Sequence, residues 1–194
     1  MNAIIFNSPF FSLIVKSILL QIKLKYKLNF FTILLLLLSF ISVAQAQNEN
    51  RKELPDLELK TLNDKVTKLK EHIKEGEISY IIFWSTSCLP CKKQLNNLAD
   101  IYLDLKEKYK LNVIAININD SKSLTDIKKM VEGNSWEYNF LYDPDNASYK
   151  AFDFNMVPMS LLIDKKSKVA LTQSHYKEGD EDIIIEEIKN LLKE

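Results

Sequence analysis

Cys88 and Cys91 are the chain's only two cysteines, and they stand where a strand must give way to a helix. Ile78 to Phe83 is a near-continuous apolar run, the pattern of a strand covered on both faces. Leu95, Leu98, Ile101, Tyr102, Leu105 and Tyr109 then repeat at helical spacing, with Asn96, Asn97, Asp100, Asp104 and Glu107 lying away from them. The backbone therefore passes from buried strand to amphipathic helix within a few residues, and Cys88 falls at the helix mouth. Unpaired N–H groups and the positive end of the helix dipole favour an anion there. A thiolate is an anion, so Cys88 is expected to ionise readily and to be the attacking sulfur. Cys91 lies one turn further in on the same face, within reach of a disulfide. Pro90 is tolerated early in a helix because its missing N–H is not needed there.

Three chemistries suit such a pair. Thiol–disulfide exchange needs an exposed thiolate, a second thiol to resolve the mixed disulfide, and a surface that presents the partner's sulfur in line. A purely structural cross-link over so short a loop gains little, because stabilisation grows with loop length. Metal binding, to copper or zinc, would recruit His72 or His175 alongside Cys88 and Cys91. Those histidines lie far apart in the chain, unlike the close His-His spacing of a compact site. Exchange is the favoured reading, with metal binding as the alternative from another class.

Further residues carry a resemblance. Phe83-Trp84, Cys88-x-Pro90-Cys91, Lys92-Lys93, Leu141-Tyr142-Asp143-Pro144-Asp145 and Val157-Pro158 resemble the thioredoxin superfamily. The likeness is strongest to its membrane-tethered or secreted TlpA/ResA-type thiol–disulfide oxidoreductases, with AhpC/TSA–redoxin-like domains, and it covers roughly Leu54 to the C-terminus. It implies an α/β thioredoxin-like fold: a central mixed sheet flanked by helices, with an insertion over Ser123 to Ala151 ahead of the proline strand. It implies that Cys88 is the nucleophile and Cys91 the resolving thiol of a redox-active disulfide. It also implies that the Val157-Pro158 bond is cis and faces that pair, leaving the Val157 backbone to pair with an extended partner segment. Trp84 would pack under the site, and is grouped with Val157 and Pro158 as substrate-binding. No cofactor and no metal are implied. The partners implied are exported proteins carrying disulfides or dithiols, with electrons from a membrane donor.

This chain departs from that pattern in places. Ser87 stands where many relatives carry a second tryptophan. Ile82 and Gln94 occupy positions where some relatives place an acid to deprotonate the buried cysteine, so the proton route for Cys91 needs another explanation. Leu89 and Met159 replace commoner residues beside the cysteines and after the proline. Lys92 and Lys93 either support the thiolate or line a solvated helix face.

The rest reads as one domain behind a leader. Leu57-Glu58-Leu59 and Val66-Thr67-Lys68-Leu69 flank Asn63-Asp64-Lys65 as an N-terminal β-hairpin. Leu111 to Ile118 is a second apolar strand. Ser123-Leu124-Thr125-Asp126 opens a helix with a capping-box-like pattern, and Gly133 suits its C-terminal cap. Ser160 to Ile163 and Val169 to Thr172 read as strands. The helix from Asp180 to Leu192 directs Ile184, Ile188, Leu191 and Leu192 inward. Residues 1–46 have the form of a signal peptide or an N-terminal membrane anchor: a basic Lys23 to Lys27, an apolar Phe30 to Val43 (the candidate tether, 30–43), and Ala44-Gln45-Ala46 as a cleavage site. Residues 47–53 read as a linker and 54–194 as the domain. Lys16, Lys23, Lys25 and Lys27 are the only charges before Glu49, so the remainder has 22 basic residues against 26 acidic. A mildly acidic domain has no general attraction for nucleic acid. Export would place the thiols where disulfides persist.

Overall fold

A computed structural model describes residues 51–118, 124–134 and 136–194, with a few helical positions between 16 and 35. It divides into two units, Met1–Asn50 and Arg51–Glu194. The predicted cleavage site, most of the apolar leader and the capping residue Ser123 lie outside the described residues. No helix among the described residues is long and apolar enough to cross a membrane.

In chain order, the second unit runs β1 (Glu58–Thr61), β2 (Val66–Lys68), a 3₁₀ turn (Leu69–His72), β3 (Ser79–Trp84), α1 (Leu89–Tyr109), β4 (Asn112–Asn117), α2 (Leu124–Gly133), β5 (Asn139–Tyr142), α3 (Ala147–Ala151), β6 (Met159–Ile163), β7 (Val169–Ser174) and α4 (Asp180–Lys193). The strands form one sheet in the order β2-β1-β5-β4-β3-β6-β7. Helical crossovers make β3, β4 and β5 parallel, whereas tight turns make β1–β2 and β6–β7 antiparallel. The N-terminal hairpin docks through Lys60↔Tyr142 and Thr61↔Leu141, extending the sheet beyond β5.

Strand β3 is the middle of the core because all six of its residues are buried. Its side chains alternate between faces. Tyr80, Ile82 and Trp84 pack with Leu95, Leu98 and Tyr102 of α1 and with Ile184, Ile188 and Leu191 of α4. Ile81 and Phe83 meet Ile114, Ile116, Leu141, Met159 and Leu161, together with Leu54, Leu57 and Leu69 from the N-terminal segment. Each such aliphatic side chain contributes about 1.5–3 kcal/mol by leaving water, so both layers hold the β3–α1 junction rigid.

Three expectations are corrected. Leu192 is 41% exposed. The inward stripe of α4 runs Ile184–Ile188–Leu191, and the next residue turns about 100° away from it. Gly133 is the last helical residue of α2 and is not a left-handed cap; the glycines with positive φ are Gly76 and Gly179. Residues 51–53 are part of the folded unit and not of a linker. Arg51 pairs with Asp164 and Glu194, Lys52 O accepts from Val169 N, and Glu53 bridges Lys168. Isolated polarity suggested a linker; the partners that use it arrive more than 110 residues later.

Candidate active site

Beyond Trp84 the chain turns through Ser85, Thr86 and Ser87, with Cys88 N donating to Ser85 O at 3.1 Å. Cys88 is the N-cap of α1, with φ −81° and ψ 104°, and Pro90 occupies the first turn. Its carbonyl accepts from Lys92 N at 3.2 Å and its Sγ from Cys91 N at 3.1 Å. A disulfide joins Cys88 to Cys91, with Cα atoms 5.3 Å apart. The two sulfurs sit in different surroundings. Cys88 is half-buried, whereas Cys91 is fully buried in the α1 face of the core. Only Cys88 can therefore meet a partner's sulfur. Opening the bond leaves negative charge where an N–H and the helix N-terminus already point.

Opposite this pair, the Val157–Pro158 peptide is cis. The Val157 carbonyl oxygen lies 3.7 Å from Cys88 Sγ. A bridged sulfur has no proton to donate, so this is a close approach; a free thiol there could donate. The Pro158 carbonyl accepts from His175 N at 2.9 Å, so Val157 presents the backbone that faces the sulfur. Leu89 and Met156, 63% and 51% exposed, flank Cys88 and Val157 along the chain. Lys93 is solvated and Lys92 half-buried.

Trp84 is placed differently from Val157 and Pro158. Its ring is fully buried, edge-on to Trp136 at 5.7 Å and to Phe140 at 6.2 Å. It supports the motif from below and offers no face to a partner, which corrects its grouping with the substrate-binding residues. The histidines do not join the cysteines. His72 contacts Thr67 and Asn139, near the starts of the parallel strands, while the cysteines follow the end of β3. His175 reaches the site through its backbone. Among the described residues no group of three or more His, Cys, Asp or Glu side chains is placed to hold a metal ion.

The sequence reading missed a buried polar chain beside the site. Gln94 Nε2 donates to Tyr80 Oη at 3.0 Å, and Tyr80 O–H donates to Ser160 Oγ at 3.1 Å. It ties the cysteine helix, through the central strand, to the strand after Pro158. Burial pushes the Tyr80 hydroxyl up to about 12. The available signal was Gln94 itself, a polar residue one turn after Cys91 on the apolar face of α1.

A family profile described as the AhpC/TSA family matches residues 51–172. The thiol-disulfide oxidoreductase ResA of Bacillus thuringiensis subsp. konkukian (strain 97-27) is 28% identical over 118 residues, 61% of this chain and 65% of that protein. ResA of Bacillus subtilis (strain 168) is 26% identical over 117 residues, 60% of this chain and 63% of that protein. The matched stretch thus spans just under two thirds of these relatives. The solution structure of an uncharacterized thioredoxin-like protein from Porphyromonas gingivalis superposes with a TM-score of 0.65 at 26% identity, covering 74% of this chain and 95% of that one. With its profile match across more than half its length, its thioredoxin-like sheet and its paired cysteines at the mouth of α1, the chain belongs to the AhpC/TSA family.

Proposed function

We propose that the chain is an extracytoplasmic thiol–disulfide oxidoreductase that reduces disulfides of exported proteins through a Cys88/Cys91 dithiol–disulfide cycle. One observation carries this reading: a half-exposed sulfur at a helix N-terminus, bonded to a fully buried one, lies 3.7 Å from the carbonyl of Val157. In the reduced form, Cys88 attacks a partner's disulfide, and one partner sulfur leaves as a thiolate and takes up a proton. Cys91 then attacks Cys88 Sγ, the mixed disulfide breaks, and the second partner sulfur leaves. Two electrons have passed to the partner, and the protein holds the bridge seen here. A donor of dithiol or equivalent chemistry at the membrane restores the thiols. The leader supports the location, and the relatives named ResA support the activity. Leu89 and Met156 would receive apolar side chains beside the partner's disulfide.

Cys88→Ser is expected to abolish reduction of insulin or a model disulfide, and Cys91→Ser to accumulate mixed disulfides whose partners mass spectrometry identifies. Full turnover by Cys88→Ser would refute the mechanism. A reduction potential far above about −200 mV would make the protein an oxidant instead.

A further inference from the structure

Three stretches of chain meet at Cys88: residues 84–99 from the end of β3 into α1, residues 154–163 around Val157 and Pro158, and residues 165–177 ending in the turn after β7. None of them contains an acidic residue, although the domain as a whole has more acids than bases. At the cysteine end their charged or titratable side chains, besides the cysteines and Tyr176, are Lys92, Lys93, His175 and Lys177. Lys92 and Lys93 stand where a helix disfavours them, because the dipole is positive there and the first turn of α1 holds no acid. Neither has an ion-pair partner among the described residues. Residues four apart share a helix face, so Lys92 follows Cys88, and Lys93 follows Leu89 on the exposed flank of the site.

His175 borders the same place from the sheet. Met159 pairs with Ser174, and one step on His175 N donates to Pro158 O at 2.9 Å. Proline has no N–H to return, so the ladder ends there. His175 then turns left-handed, with φ 69°, a conformation glycine would adopt without steric conflict. Its neighbours are pinned: Tyr176 Oη accepts from Asn97 Nδ2 at 2.7 Å and donates to Glu181 at 2.6 Å. The imidazole is exposed and has no hydrogen-bond partner among the described residues, so packing does not account for it. The nearby acids of α4 are turned onto their own loop. Asp180 accepts from Lys177 N and Gln173 Nε2, and Glu181 accepts from Gly179 N as well as from Tyr176. Asp153 and Glu178 are the next exposed acids along the chain.

Resting on the oxidoreductase reading, we propose that this face selects partner segments with acidic side chains beside the disulfide. Lys92 and Lys93 receive the carboxylates as cations, and His175 receives them as a hydrogen-bond donor. Side chains alternate along an extended segment. One short stretch can therefore set an apolar residue against Leu89 or Met156 and a carboxylate against the basic rim.

The test uses the reduced full-length chain and two peptides, each with one internal disulfide and the same apolar residues. One has glutamate beside each cysteine and the other has lysine. The readout is the ratio of their second-order reduction rates, from which any change in the reactivity of Cys88 cancels. The glutamate peptide is expected to react about fivefold or more faster at about 20 mM salt, with the ratio falling toward one at about 0.5 M. Lys92→Gln with Lys93→Gln should bring the low-salt ratio to within about twofold of one. Asn and Asp both tolerate the left-handed region, so His175→Asn should lower the ratio and His175→Asp should lower it further. If the His175 variants do not fold, Lys93→Glu decides the matter, because an acid on an exposed first turn suits the helix dipole. A ratio near one in the unaltered protein, or a ratio these substitutions leave in place, overturns the proposal. Failure of the reduced chain to reduce either peptide or 2-hydroxyethyl disulfide would instead overturn the oxidoreductase reading itself.

Discussion

Arg51→Ala should destabilise the domain without touching the disulfide chemistry. The guanidinium donates from Nη1 to Asp164 Oδ2 at 2.9 Å, and from Nη1 and Nη2 to Glu194 at 2.7 and 2.8 Å. The two carboxylates differ in what they stand to lose. Glu194 is more than a third exposed, so its share is about 0–1 kcal/mol. The Asp164 side chain is 5% exposed. Its Oδ1 still accepts from Lys166 N and Lys168 N after the change, but Oδ2 loses Arg51. An unpartnered charged oxygen at such a depth costs about 1–3 kcal/mol. The full 3–5 kcal/mol of a broken buried pair is not reached, because half the carboxylate keeps its donors. The expected loss is therefore about 2 kcal/mol, against under about 1 kcal/mol for Glu194→Gln. Arg51 also holds the Glu194 carboxyl below the usual carboxylate range. A carboxyl whose folded pKa is lowered stabilises the fold above its unfolded pKa, and that contribution is lost as pH falls through the folded value. The gap between Glu194→Gln and the unaltered chain should thus close in acid. Urea unfolding of the oxidised protein, followed by circular dichroism from about pH 7 to about pH 3, measures both effects. A loss below about 0.5 kcal/mol for Arg51→Ala would refute the assignment of residues 51–53 to the folded unit. Disulfide reduction should be unchanged, since Asp164 follows the end of β6 away from Pro158.

Other outcomes follow from the same geometry. Asp143 accepts from Ala147 N at 3.2 Å and Ser148 N at 2.8 Å, so Asp143→Ala should cost about 1–2 kcal/mol in urea unfolding by freeing two backbone donors at the start of α3. Tyr80→Phe removes the hydroxyl joining Gln94 to Ser160 and should cost about 1–3 kcal/mol, read as a lower thermal midpoint. Burial holds His72 below the ordinary imidazole range, its ring meeting Thr67 and Asn139. A base with a lowered folded pKa gives its full stability above its unfolded pKa of about 6.5, and loses it as pH falls below. The urea midpoint should therefore drop as pH falls from about 7 to about 5, and His72→Gln should flatten that drop. Leu89→Ser with Met156→Ser should raise KM for an apolar-flanked disulfide peptide more than for a small aliphatic disulfide; an equal change for both would remove those residues from partner contact.

Local chemistry made much of the molecule legible in advance. An apolar run followed by helical periodicity located β3 and α1 to within a residue, because each pattern reflects which faces meet water. Cys88 and Cys91 could be placed at the junction for the same reason, and the turn residues marked the hairpins. What periodicity does not encode is which distant group arrives at a given surface. Arg51 reads as linker until Asp164 and Glu194 are brought to it, and Leu192 reads as core until the pitch of α4 is seen against the sheet. Trp84 beside a cysteine motif suggests partner contact, and only the packing of Trp136 and Phe140 around it shows a ring with no open face.

The sequence alone determined where the sulfurs sit along the chain, since strand and helix formation depend on neighbours a few residues away. Only the tertiary structure decided which sulfur is accessible, that the Val157 carbonyl faces it from 69 residues further on, and that His175 stands across from Pro158. Those facts depend on how layers close over one another, and burial is set by the sum of contacts from remote segments rather than by any residue's own preference.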